Sequence, residues 1–325
     1  MKRRQFFTIV GATAIGLPLC LEALAQGRHV RVGLLAPVAP RPDMVSALRE
    51  GLRNRGYVEG QNLSIELRWP KGSFAQDPEV TAELVRSNVD VIVAWTTPAV
   101  TAARAATSTI PIVIVGVSDP MGLGFVRNLA RPGGNITGVS NLAAEISTKV
   151  VELLNDIVPS SKHIGIIFNP NNPASPLQLS GAEAGARALG LKVTRAGAST
   201  PEDYRRAFER LNAERVQGVV LLADPSLIDH AAQIADLART ARLPTVFQRR
   251  ENVEAGGLLS YGSNLRGEFR QAANYVDRIL RGASPAELPV EQPTTFELVI
   301  NLKTAKAIDL SMPRSLLERA DEVIE

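Results

Sequence analysis

Four short stretches of this 325-residue chain carry side chains suited to holding a small charged ligand. Trp95-Thr96-Thr97-Pro98 follows an apolar run. Thr97 can cap a helix that opens at Pro98, and the hydroxyls and unpaired amides of such a start suit a carboxylate. Thr97 can equally be an N-cap and nothing more, and Trp95 can either stack on a flat ligand or plug a core. Ser118-Asp119-Pro120 repeats the pattern after a second run, and Asp224-Pro225 repeats it later. Each aspartate is first a capping residue. At the rim of a cleft, Asp224 is also placed to pair with a ligand ammonium. Asn169-Pro170-Asn171-Asn172-Pro173 is either a plain turn or a polar wall of amide donors and acceptors. Tyr261 is a phenol able to close over a ligand, and Arg249 and Arg250 are candidate carboxylate partners for which the surface is the commoner place.

Catalytic chemistry is poorly represented. His29, His163 and His230 fall before strands or on a helix, away from the loops after strands where a base would project. There is no G-x-S-x-G elbow, Walker sequence or metal-like histidine spacing. Gly122-Leu123-Gly124 has Arg127 where a dinucleotide-binding loop needs its third glycine. The expectation is a protein that is not an enzyme and needs no cofactor or metal.

Lys2, Arg3 and Arg4 precede an apolar run from Phe6 to Leu21 and then Ala23-Leu24-Ala25, the pattern of a cleaved export signal. Arg3-Arg4-Gln5-Phe6-Phe7 leaves twin-arginine and ordinary export both open. Leu17-Pro18-Leu19-Cys20 is a poor lipidation site because Leu19 is large. The expected location is therefore periplasmic. The chain's formal charge is +3. Removing Lys2, Arg3, Arg4 and Glu22 brings the mature charge near zero, which offers no footprint for nucleic acid. Cys20 is the single cysteine, so the mature chain depends on its apolar cores rather than on disulfides.

The elements that must position these residues alternate between β-branched apolar runs and segments of helical period, as in βαβ units around parallel sheets. Four runs come first: Val30 to Leu35, Leu63 to Leu67, Val91 to Ala94 and Ile112 to Val115. Asp77-Pro78 predicts a helix start between the second and third. Asn135 to Ser140 leads out of this set, and a helix with Ile146, Val150, Val151, Leu154 and Ile157 on one face opens a second. Its runs are Ile164 to Phe168, Leu191 to Thr194, Gly218 to Ala223 and Thr245 to Phe247, with Thr200-Pro201-Glu202-Asp203 a helix start. Ala255 to Asn264 and Leu288 to Leu310 look like further crossings between two domains. The expected division is a signal over 1–25, one lobe from 28–141 plus 262–286, and another from 142–261 plus 287–325. In such sheets ligands collect beyond the carboxyl ends of the strands.

Long stretches resemble a known family, the periplasmic substrate-binding proteins of ABC transporters, in the branch labelled tryptophan/tyrosine-type. The most specific are GLRNRGYVEGQNLSIELRW from Gly51, TSTIPIVIVGVSDP from Thr107, LARPGGNITGVS from Leu129, AGGLLSYG, and VINLKTAKAIDLSMPRSLLERADEVIE at the end. The resemblance implies a type I periplasmic binding fold: two doubly wound parallel-sheet α/β lobes joined by a three-crossing hinge, with an amino acid or related molecule trapped between them. It implies a ligand site at Thr96, Thr97, Ser118, Asn141, Asn169, Asp224 and Tyr261, with Pro37 and Val38 as apolar wall. Trp95 departs from the small residue of the family pattern, and Asp119 stands beside Ser118 as a further candidate. The implied partners are a small molecule and the transmembrane permease subunits of an importer, with the protein acting as a monomer. An enzyme or a ligand-sensing domain on the same frame is the alternative.

Overall fold

The computed structural model describes residues 29–73 and 75–325. The export signal expected over 1–25, with Cys20, lies outside the described residues.

The first sheet orders its five strands β2-β1-β3-β4-β5, all parallel. These are β1 (Val30–Leu35), β2 (Leu63–Arg68), β3 (Val91–Trp95), β4 (Ile112–Val117) and β5 (Ile136–Ser140). Strands β3, β4 and β5 are buried throughout, as their unbroken apolar character requires of strands covered on both faces. On one face lie α1 (Pro42–Arg53) and, from far along the chain, α10 (Leu265–Leu280). They cross closely because a Cβ on Gly51 would sit 2.7 Å from that of Ala273. On the other face lie α2 (Glu79–Arg86) and α3 (Thr96–Ala106). Both depart from the expected starts. Asp77 accepts from the Lys71 amide at 3.1 Å instead of capping α2, which begins after Pro78. Helix α3 opens at Thr96, so Thr97 is buried in its first turn rather than capping it.

The second sheet has seven strands in the order β12-β11-β10-β9-β8-β6-β7. They are β6 (His163–Phe168), β7 (Lys192–Gly197), β8 (Val219–Leu221), β9 (Thr245–Phe247), β10 (Leu259–Gly262), β11 (Glu297–Asn301) and β12 (Glu322–Ile324). Only the β10–β11 pairing is antiparallel. Helices α4 (Ala143–Ile157) and α5 (Ser175–Ala188) cover one face; α6 (Pro201–Ala213) and α8 (Ala231–Thr240) cover the other. Thr200 and Asp203 form a reciprocal capping box at α6. Short helices α7 (Pro225–Asp229) and α9 (Arg250–Glu254) follow β8 and β9, and α11 (Leu302–Ala307) and α12 (Arg314–Leu317) lie between β11 and β12.

Three connections join the lobes. The first follows β5 and the second follows β10, which is itself a strand of the second sheet. The third comes after residues 288–291, which stay with the first lobe beyond the expected change at 286: the Glu291 amide bonds to Gly138 O at 2.9 Å. The lobes touch, since Ile228 of α7 packs against the first lobe's core.

Candidate functional site

Every parallel strand from β1 to β9 contributes the residues after its carboxyl end to the cleft between the lobes, and two cavities occupy it. An inner one of about 30 Å³ is walled by the ends of β3, β4 and β5 on one side and of β6, β8 and β9 on the other. That is room for little more than one or two waters or a ligand's head group. An outer one of about 630 Å³ opens beyond it. Asn172, Asp224 and Pro225 line both and so stand at the neck between them.

On the first lobe's side, Thr96 has φ +75°, a conformation costly for a β-branched residue, and its Oγ1 is buried with no partner. It opens α3 at the cavity wall, bringing the unpaired amides of the helix start and its positive end there. Thr97 and Ser118 add to the wall. Asn141 also lines it, but its amide is committed: Nδ2 donates to Gly116 O at 3.0 Å and Oδ1 accepts from the Ala143 amide. Trp95 combines both expected roles, since its ring sits in the core at 6.2 Å from Phe269 and also walls the cavity.

On the second lobe's side, Asp224 caps α7 through Ser226 N at 2.9 Å and is 9% exposed. Its other oxygen accepts from Asn169 Nδ2 at 3.1 Å and Asn172 Nδ2 at 2.7 Å. These donors are neutral, and among the described residues no cation pairs with its charge. Sequence reasoning passed over Gln178 of α5, which lines the same cavity. Its Nε2 donates to Ala223 O at 3.1 Å, leaving Oε1 buried without a donor. Its signal was a polar side chain on the buried stripe that continues through Ala182, Gly185 and Ala186. Arg249, expected at the surface, is instead 11% exposed and walls the inner cavity. It follows β9 in the strand-end position where ligands collect, a signal equally available in the sequence.

Pro37, Val38 and Asn169 line the outer cavity. So do Asp229 and His230. Two candidates lie elsewhere. Asp119 accepts from the Gly122 amide at 2.8 Å and fixes the turn after β4. Tyr261 stacks on Phe296 at 5.7 Å and packs on the second lobe's core, because the β10 pleat turns it away from the cleft.

Comparison with known proteins agrees with this architecture. A tyrosine-binding protein of Clostridioides difficile (strain R20291) is 26% identical over 261 residues, 80% of this chain and 75% of that protein. A conserved domain protein from Vibrio cholerae O1 biovar El Tor superposes with a TM-score of 0.85 at 29% identity, covering 91% of this chain and 100% of that one. The ABC domain from Streptococcus pneumonia in complex with L-Trp superposes with a TM-score of 0.84 at 25% identity, with the same coverage. The two lobes thus form a type I periplasmic binding fold. The profile of the family described as ABC transporter substrate binding protein matches residues 38–324, and the chain belongs to that family.

Proposed function

We propose that this protein is the extracytoplasmic solute-binding component of an ABC importer, capturing an amino acid or related carboxylate between its lobes and delivering it to a membrane permease. The observation that carries this reading is the division of polarity across the inner cavity. The first lobe offers the start of α3, Thr96 Oγ1 and Ser118, all suited to an anion; the second offers Asp224, without a cation, and Gln178 Oε1, without a donor. A zwitterionic head satisfies both sides at once: its ammonium gives Asp224 a cation and Gln178 Oε1 a donor, and its carboxylate gives the Thr96 hydroxyl an acceptor. The body of the ligand, too large for the inner cavity, extends past Asp224 into the outer one. The tyrosine-binding relative and the L-Trp complex support an amino acid as the solute class.

The cycle follows from the hinge. An open form exposes the strand ends, a ligand bridges them, and its stronger binding to the closed form supplies the free energy for closure. Thermal denaturation with each of the standard L-amino acids tests this. A true ligand at about 100 times its Kd stabilises the native state by about 2.7 kcal/mol. No shift with any of them, at concentrations that saturate micromolar sites, rules the amino-acid reading out.

A further inference from the structure

The strand-end residues account for an anion by hydroxyls and amides alone, yet a guanidinium also faces the inner cavity. Arg249 uses only one of its nitrogens internally. Nη1 donates to Ser263 O at 3.1 Å, Ser263 Oγ at 3.3 Å and Glu268 Oε1 at 3.2 Å. Nη2 and Nε make no hydrogen bond among the described residues, although the side chain is largely buried. That edge opens on the inner cavity, where its N–H donors are free to take an acceptor from a ligand.

What lies in front of that edge is Gly116. A Cβ there would sit 3.4 Å from Arg249 Nη2 and 3.3 Å from Glu268 Oε2, and the residue holds φ +67° in the irregular end of β4. Any side chain there would crowd the guanidinium edge beside the inner cavity, which Gly116 and Arg249 both line. Glu268 lies on α10 of the first lobe while Arg249 follows β9 of the second, so the pair spans the hinge. Ser263 Oγ also donates to Glu268, fixing the carboxylate that fixes the guanidinium.

We propose that Arg249, held in place by Glu268 and Ser263, is the cationic partner of the ligand carboxylate, reading it through its open Nη2–Nε edge across the gap left by Gly116. This rests on the zwitterion reading above. A planar fork fits a carboxylate in a way hydroxyls do not, and it selects acids over neutral analogues. Glu268 is a positioning residue, since it acts through Arg249.

Calorimetric titration of the intact protein with L-tyrosine, L-tryptophan and L-leucine, each beside its α-carboxamide, tests the assignment. The wild type is expected to favour an acid over its amide by about 10- to 100-fold, the range for hydrogen bonds to a charged group. In the Arg249→Gln/Glu268→Gln double variant, which strands neither buried charge, that preference falls by about tenfold or more while amide binding changes little. Arg249→Lys, which keeps the charge and loses the fork, retains part of the preference and serves if the double variant does not fold. An acid-to-amide ratio that is near one in wild type, or the same in wild type and both variants, overturns the role of Arg249 and leaves the amino-acid reading standing. If none of the three acids binds the wild type, the amino acid that shifts its melting curve is titrated beside its own amide in their place, and if no standard amino acid shifts that curve, both readings fall together.

Discussion

Asn172 donates from Nδ2 to Asp224 Oδ2 across 2.7 Å, tying the loop after β6 to the start of α7 at the neck of the cleft. The same carboxylate therefore has two duties, capping a helix and presenting a negative charge. Asp224→Asn separates them. Asparagine keeps the cap through its oxygen but turns its Nδ2 toward the Nδ2 donors of Asn169 and Asn172, so stability should fall by about 1–3 kcal/mol. Loss of the charge should weaken an amino-acid ligand by about tenfold or more, as for hydrogen bonds to ionised groups. Asp224→Ala should lose both. Chemical denaturation beside calorimetry gives the two readouts, and unchanged affinity in both variants removes Asp224 from the site.

Thr96 holds φ +75° with its hydroxyl buried and unpartnered, a combination the rest of the fold must enforce. Such strain costs on the order of 1–3 kcal/mol, more than the backbone entropy a glycine adds to the unfolded chain. Thr96→Gly is expected to raise stability by about 1 kcal/mol. It should also weaken binding, because the orphaned Oγ1 no longer meets the ligand. A variant that is both less stable and equally tight would show that the conformation serves packing alone.

Trp95 makes one side chain serve as core and as cavity wall. Trp95→Ala should destabilise the first lobe by about 3–5 kcal/mol through the void it leaves. That void is apolar, bounded by Phe269 and its neighbours, and suited to a free ring. Indole at millimolar concentration is expected to raise the melting temperature of the variant and leave wild type unmoved. An equal response in both proteins would mean that the ring does not limit the cavity.

The fold was legible because parallel strands covered on both faces are near-continuously apolar: β3 and β4 are so throughout, and β1 and β6 are broken only by Arg31 and His163. The strand-end rule then pointed to Thr96, Thr97, Ser118 and Asp224 before any coordinates. It did not separate Asp119 from Ser118, because which of two adjacent side chains enters a cleft depends on the bulge between Val115 and Val117. Tyr261 was expected at the ligand for a related reason: the segment was read as a crossing between domains, whereas Leu259–Gly262 is a strand that pairs with both β9 and β11, and its pleat dictates the facing. Arg249 was named as a carboxylate partner but expected at the surface, and Gln178 was passed over, because their burial depends on partners 19 and 45 residues away, Glu268 and Ala223.

Glu251, in α9 beside the site, is 1% exposed, and neither of its carboxylate oxygens has a hydrogen-bond partner. Burial pushes its pKa up, and the nearby charges of Arg249 and Arg41 only partly oppose this. The native state thus keeps a proton that the unfolded chain releases above about pH 4.3, the ordinary glutamate value. Stability contributed by this group is present below that pH and is lost as pH rises through the elevated native value, the reverse of a carboxylate held by cations. Glu251→Met keeps the volume and removes both orphaned oxygens. It should stabilise the protein by about 1–2 kcal/mol at pH 7, with a smaller advantage at pH 4, where most of the wild-type carboxyl is protonated in both states and only its unpaired oxygens still cost. Urea denaturation at the two pH values decides it: a gain that is the same at both would mean that packing, and not the proton, sets the difference.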